Sequence, residues 1–191
     1  MANKKILKFV NIELTDHDIK KMMTFGYGIE DILRVHEFSN KDIRKIHQRR
    51  IDLYQSLLLS ENYAIPGAEE VVVQIAKNYS MAIVTNSPSR DFDVIHKNTS
   101  FLQYMDFVLT REDYKKSKPD PEPYLLALSR FDIQPEQAVV IEDSARGFRS
   151  AQAANIDCII LRNEFTRDQD FEGASAYADS HAELPEIIAS L

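Results

Sequence analysis

The chain opens with helical spacing and no strand pattern. In "ANKKILKFV", Ile6, Leu7 and Val10 recur at helical intervals, and "TDHDIKKMM" predicts a helix starting on Thr15 or Asp16 as N-cap. "GIEDILRVH" sets Ile29, Ile32, Leu33 and His36 on one face. "SNKDIRKIHQRRIDLYQSLLL" repeats Ile43, Ile46, Ile51, Tyr54 and Leu58 at threes, fours and fives. These segments predict a small helical bundle. At "IPGAEE", residues 65–70, the texture changes to strand–helix alternation. "GAEEVVVQIAKN" reads as helix, "YSMAIVTNS" as strand, "RDFDVIHKNT" as helix and "MDFVLT" as strand. "DPEPYLLALSRF" reads as helix with prolines in its first turn, where a missing N–H costs nothing. "AVVIED", "SARGFRSAQAAN", "DCIILR" and "AELPEIIASL" continue as strand, helix, strand and closing helix. Strand runs that are apolar without polar alternation are buried on both faces, which predicts a parallel sheet covered by helices. The expected organisation is a helical region over residues 1–63 and a doubly wound α/β region over 64–191.

Composition narrows the setting. The single cysteine, Cys158, forbids an intrachain disulfide and fits a reducing cytoplasm. Its place in "DCIILR" makes it a small buried hydrophobe. No apolar run approaches a bilayer-spanning length, and "MANKKILKFV" lacks the continuous apolar core of a secretory signal. A net charge of -7 argues against a nucleic-acid groove or an anionic membrane as the main partner. It leaves phosphorylated metabolites open, because a metal and a few local cations can outweigh the global sign.

Parallel α/β sheets bind ligands at the carboxyl ends of their strands. The residues there are Thr85, Asn86 and Ser87, then the stretch 110–118 ending in Lys118, then Glu142, Asp143 and Ser144. Hydroxyl and amide donors with a lysine suit a phosphate, and paired acids suit Mg²⁺. Each has a plainer reading. Ser87 is expected to cap the next helix, Lys118 could be a solvated loop lysine, and the acids could be a polar strand end with Asp143 or Ser144 as N-cap.

The same residues resemble the haloacid dehalogenase superfamily of phosphatases and phosphomutases, nearest to the β-phosphoglucomutase and sugar-phosphate phosphatase subgroup. "IVTNSPSRD" is similar to its second motif, "KKSKPDPEPYLLAL" to its third and "VVIEDSARGFRSAQAANI" to its fourth. The resemblance runs from about Ile12 to the C-terminus. It implies a Rossmann-like parallel core and a small inserted cap domain formed by the helical first third, with "FGYGIEDIL" as its substrate-facing loop. It implies that Thr85 hydrogen-bonds the transferring phosphoryl group with Asn86 beside it. It also implies that Lys118 neutralises phosphate charge and holds a nucleophilic carboxylate, and that Glu142 and Asp143 bind Mg²⁺ directly or through water.

Two departures stand out. The family opens on a strand ending in Asp-x-Asp-Gly-Thr, whose first Asp becomes aspartyl-phosphate and whose second is the general acid and base. This sequence has no such motif. "TDHDIK" spaces Asp16 and Asp18 by two but opens a polar helix, so neither is the nucleophile. At the cap-loop position where some mutases grip phosphate with Arg stands Ile29, with Arg34 or Lys20 as the available substitutes. The expectation is a Mg²⁺-dependent phosphatase of a small phosphorylated metabolite, ahead of a phosphomutase or a non-catalytic relative. The chain as written is expected to lack phosphoryl transfer and to be preceded by further residues in its gene. Without the family's central strand, its neighbours are expected to flank a groove with unpaired backbone.

Overall fold

The computed structural model describes residues 6–15, 18, 28–60, 65–97 and 99–191. The chain divides into two compact units, Met1–Asn62 and Tyr63–Leu191.

In the first unit, residues 6–8 are helical and the chain then turns through Asn11 at φ 57°. Thr15 and Asp18 exchange backbone and side-chain bonds at 2.9 and 3.1 Å, the reciprocal pattern of a capping box with Thr15 as the cap. Helix α1 (Ile29–Val35) starts where the Gly28 amide donates to Asp31 Oδ2 at 2.8 Å. Helix α2 (Asn40–Ser60) is preceded by Ser39, whose Oγ accepts from the Asp42 amide at 3.2 Å. Ile6, Leu7, Ile12, Ile29, Leu33, Ile43 and Ile46 form the core of this unit. Among the described residues from 6 to 60 there is no strand. Lys20, most of "TDHDIKKMM" and the first part of "FGYGIEDIL" lie outside the described residues.

The second unit alternates as the pattern requires. Its elements are α3 (Ala68–Ile75), β1 (Ala82–Val84), α4 (Ser89–His96), β2 (Phe107–Leu109), α5 (Glu122–Phe131), β3 (Val139–Glu142), α6 (Ala145–Ala153), β4 (Asp157–Leu161), β5 (Ala176–Ala178) and α7 (Leu184–Ser190). Strand β5 was not among the expected elements. Its three residues sit in "GASAYADS", too short and too small to show a period, and it forms because β4 offers it an edge, with Ile160 opposite Tyr177.

All pairings are parallel, but the strands form two sheets instead of one. One has the order β1-β2 and the other β3-β4-β5. Val84 lies opposite Leu109 in the first, and Val140 opposite Cys158 in the second. Strand β4, flanked on both edges, buries Cys158, Ile159 and Ile160. One face of the larger sheet packs with α5 and α6 through Tyr124, Leu128, Phe148 and Ala151, and the other with α3 and α7 through Val71, Ile75, Leu184 and Ile188. Between β1 and β3 no strand intervenes among the described residues, which is why the sheet is split.

Candidate active site

The turn after β2 delivers Lys118 into the interior. Glu122, in the first turn of α5, accepts from the Lys115 and Lys116 amides at 2.8 and 2.9 Å. Ser150 of α6, fully buried, donates to the Asp120 carbonyl at 2.6 Å. Lys118 is therefore no solvated loop lysine: it is 8% exposed. Its three ammonium protons have three acceptors, Glu142 Oε1 at 2.5 Å, Tyr124 OH at 2.7 Å and the Val84 carbonyl at 2.9 Å. Tyr124 in turn donates to Glu142 Oε1 at 2.6 Å. Burial, then the Glu142 charge, pushes the Tyr124 phenol well above its ordinary value, so it remains a donor.

Asn86, after β1, clamps the main chain of Lys118. Its Oδ1 accepts from the Lys118 amide at 3.2 Å, and its Nδ2 donates to the Lys118 carbonyl at 3.3 Å. The same carbonyl accepts from Arg146 of α6 at 2.6 Å. Tyr114 OH lies 2.5 Å from the Thr85 carbonyl and 2.9 Å from Asn86 Oδ1, with its phenol pushed up to about 12 by burial. The Thr85 hydroxyl accepts from the Ser87 amide at 3.1 Å and has no acceptor for its proton among the described residues. Ser87 does not cap α4. Pro88 is the cap residue, without a side-chain bond, and the Ser87 carbonyl instead accepts from Arg111 at 3.0 Å, tying the two strand-end loops together.

At the end of β3 the two acids separate in role. Glu142 Oε2 receives the Ser144 hydroxyl and the Asp143 amide, each at 3.2 Å, while Oε1 is held by Lys118 and Tyr124. Ser144, and not Asp143, is the N-cap of α6, accepting from Gly147 at 3.2 Å. Asp143 has no cationic partner among the described residues. It meets only Asn163, 3.3 Å away, from the loop after β4. One side of it is open to water and the other shielded. That shielding, then the charge of Glu142, raises its carboxyl above the ordinary range. A carboxylate with no ion pair among the described residues, beside a second acid, fits Mg²⁺, which takes one or two protein carboxylates and completes its shell with water and phosphate oxygens. Among the described residues no group of three or more His, Cys, Asp or Glu could enclose a metal, so a cation held at Asp143 would take further oxygens from water and phosphate.

Thus Lys118, Tyr124, Glu142, Asn86 and Thr85 belong to one hydrogen-bonded constellation, with Asp143 at its rim. Tyr114, Tyr124, Arg146 and Gly147 are positioning residues that the sequence reading missed. The signal was present for Tyr124, which lies six residues past Lys118 on the buried face of a helix fixed by the Pro-Asp-Pro turn.

The profile of the haloacid dehalogenase-like hydrolases matches residues 1–161. The chain belongs to this family. Protein CbbY of Cereibacter sphaeroides is 27% identical over 177 residues, covering 87% of this chain and 77% of that protein. A phosphorylated carbohydrates phosphatase of Thermotoga maritima is 33% identical over 117 residues, 61% of this chain and 52% of that one. A crystal structure of a CbbY mutant from Rhodobacter sphaeroides in complex with xylulose-(1,5)bisphosphate superposes with a TM-score of 0.79 at 24% identity, covering 96% of this chain and 87% of that one. The split sheet is therefore a haloacid dehalogenase-like fold, and the candidate residues stand at the carboxyl ends of the strands, where this architecture places ligands.

Proposed function

We propose that the core unit is the phosphoryl-binding scaffold of a Mg²⁺-dependent phosphatase acting on a small phosphorylated metabolite, a phosphorylated sugar first among them, through an aspartyl-phosphate. The observation that carries this reading is the buried Lys118 ammonium, bonded to Glu142 at the end of β3 and to the Val84 carbonyl just before Thr85 at the end of β1. In this reading Asp143, with Glu142 once Lys118 releases it, holds Mg²⁺, which offsets charge on the transferring group. Thr85 and Lys118 bind the phosphoryl oxygens, and Asn86 keeps Lys118 in place. The helical unit acts as cap over residues 1–63. The names of the relatives support a sugar-phosphate substrate, and the use of a single cysteine, Cys158, supports a reducing cytoplasm. No helix among the described residues is long and apolar enough to cross a membrane. A phosphomutase has less support: Ile29 is buried in the core of its own unit, and Arg34 is paired to Glu30 and Asp31 at 3.7 and 3.4 Å.

A second reading, a non-catalytic phosphate binder, is favoured by one observation: in residues 1–191 no Asp-x-Asp motif follows an apolar strand. Phosphate release from a panel of sugar phosphates with Mg²⁺ separates the two. The phosphatase reading expects no turnover by these 191 residues alone and turnover once an apolar strand ending in Asp is supplied. A panel that binds, yet stays unhydrolysed with the strand supplied, selects the binder. Turnover by the chain alone defeats the assignment of an absent nucleophile.

A further inference from the structure

Asn163 stands two residues past the end of β4. Ile160 of β4 lies opposite Glu142 of β3, so the chain leaves the two strands side by side. The Arg162 amide still pairs with the Ala178 carbonyl at 2.9 Å, which fixes the main chain just before Asn163. The Asn163 side chain is then held at both ends. Its Oδ1 accepts from the Phe165 and Thr166 amides at 2.8 and 3.1 Å, the pattern by which an Asn turns a loop. With the carbonyl end taken by two N–H donors, the amide end faces the other way, and it donates to Asp143 Oδ2 at 3.3 Å. The loop is pinned again at Gln169, whose Oε1 accepts from the Ala145 amide at 2.7 Å, and Thr166 between them is 2% exposed. The stretch 163–169 is therefore tied both to Asp143 and to the first residue of α6.

We propose that Asn163 is a positioning residue for Asp143. It holds one carboxylate oxygen by a neutral donor and adds no third acid, so that a divalent cation is retained together with phosphate and not ahead of it. The proposal rests on the reading of Asp143 as a cation ligand. A ligating carboxylate that is itself hydrogen-bonded keeps its orientation, and partners of this kind tune affinity without touching the ion. Affinity for hard cations rises with the number of charged oxygens offered. A Lys or Arg at position 163 would compete with the cation for Asp143, and an Asp would supply a third carboxylate. Asn does neither. Glu142 is already bonded to Lys118, so Asp143 is the member of the acid pair without an ion pair among the described residues. The protein charge offered to a cation is therefore small, and phosphate oxygens have to make up the difference.

Asn163→Asp separates the two ends of the side chain. Its carboxylate still accepts from the Phe165 and Thr166 amides, and only the donor to Asp143 is replaced by an acid. Mn²⁺ binding to the 191-residue chain is read by electron paramagnetic resonance against a protein-free blank, with and without inorganic phosphate. The parent should bind Mn²⁺ more tightly with phosphate than without. Without phosphate, Asn163→Asp should bind it about tenfold or more tighter than the parent, and the gain from phosphate should shrink. In the unmutated chain, the NMR signal of the Asn163 side-chain amide should move when Mg²⁺ and phosphate are added together. An amide signal that stays in place overturns the proposal. Phosphate-assisted binding that Asp143→Asn abolishes and Asn163→Asp leaves unchanged overturns this proposal alone. A parent that binds no Mn²⁺ under either condition overturns the cation reading of Asp143, and this proposal with it.

Discussion

The carboxylate of Glu142 fills the space beside Gly147: a Cβ on that glycine would lie 1.8 Å from Glu142 Cδ and 2.0 Å from each oxygen. Gly147 sits in the first turn of α6, so its lack of a side chain lets the last residue of β3 turn its acid inward onto Lys118. Gly147→Ala should therefore destabilise the chain by about 1–3 kcal/mol, even though Ala is the better helix former by about 1 kcal/mol. In urea unfolding, Glu142→Ala combined with Gly147→Ala should lose less than the sum of the two single changes. A Gly147→Ala variant as stable as the parent contradicts the close packing described here.

Lys118 and Glu142 form a buried pair, with side chains each 10% exposed. Removing one partner strands the other charge, a loss of about 3–5 kcal/mol by analogy with other buried pairs. Lys118→Met should show it in chemical denaturation, and Lys118→Met with Glu142→Leu should recover part of it. A single change with no measurable effect refutes the burial of the pair.

Tyr124 links both members of that pair, accepting from Lys118 and donating to Glu142. Tyr124→Phe keeps the ring and deletes both bonds, and is expected to cost about 1–3 kcal/mol and to weaken phosphate binding. Stability and phosphate affinity both at the parent level speak against its positioning role.

His96 is held between Phe92 and Phe101, and burial lowers its pKa from 6.5. The unfolded chain therefore binds this proton more readily. The stability tied to neutral His96 is present above about pH 6.5 and is lost as pH falls below it. His96→Phe should flatten the stability profile between about pH 5 and 7. An NMR titration that places His96 above 6.5 reverses the sign and refutes this account.

The elements were legible where apolar spacing marks them: the apolar runs of strands β3 and β4, and the periods of helices α2 and α5, predict them directly. Strand β5 was not, because three residues carry no period and its pairing to β4 decides it. In the site, Lys118 and the Glu142–Asp143 pair were visible as strand-end residues. Their division of labour was not, since which acid faces Lys118 depends on the space at Gly147, and Ser87 lost its expected cap to Pro88. Asn86 was expected as a phosphate donor and is found clamping the Lys118 backbone, a partnership set by a turn 32 residues away.

The central claim is a phosphate site completed by Mg²⁺ at Asp143, and calorimetric titration of the chain with a sugar phosphate, with and without Mg²⁺, tests it most directly. The account predicts saturable binding that depends on Mg²⁺ and falls by about tenfold or more, roughly 1.4 kcal/mol, in Asp143→Asn. Binding of equal strength without Mg²⁺, or unchanged in Asp143→Asn, contradicts it.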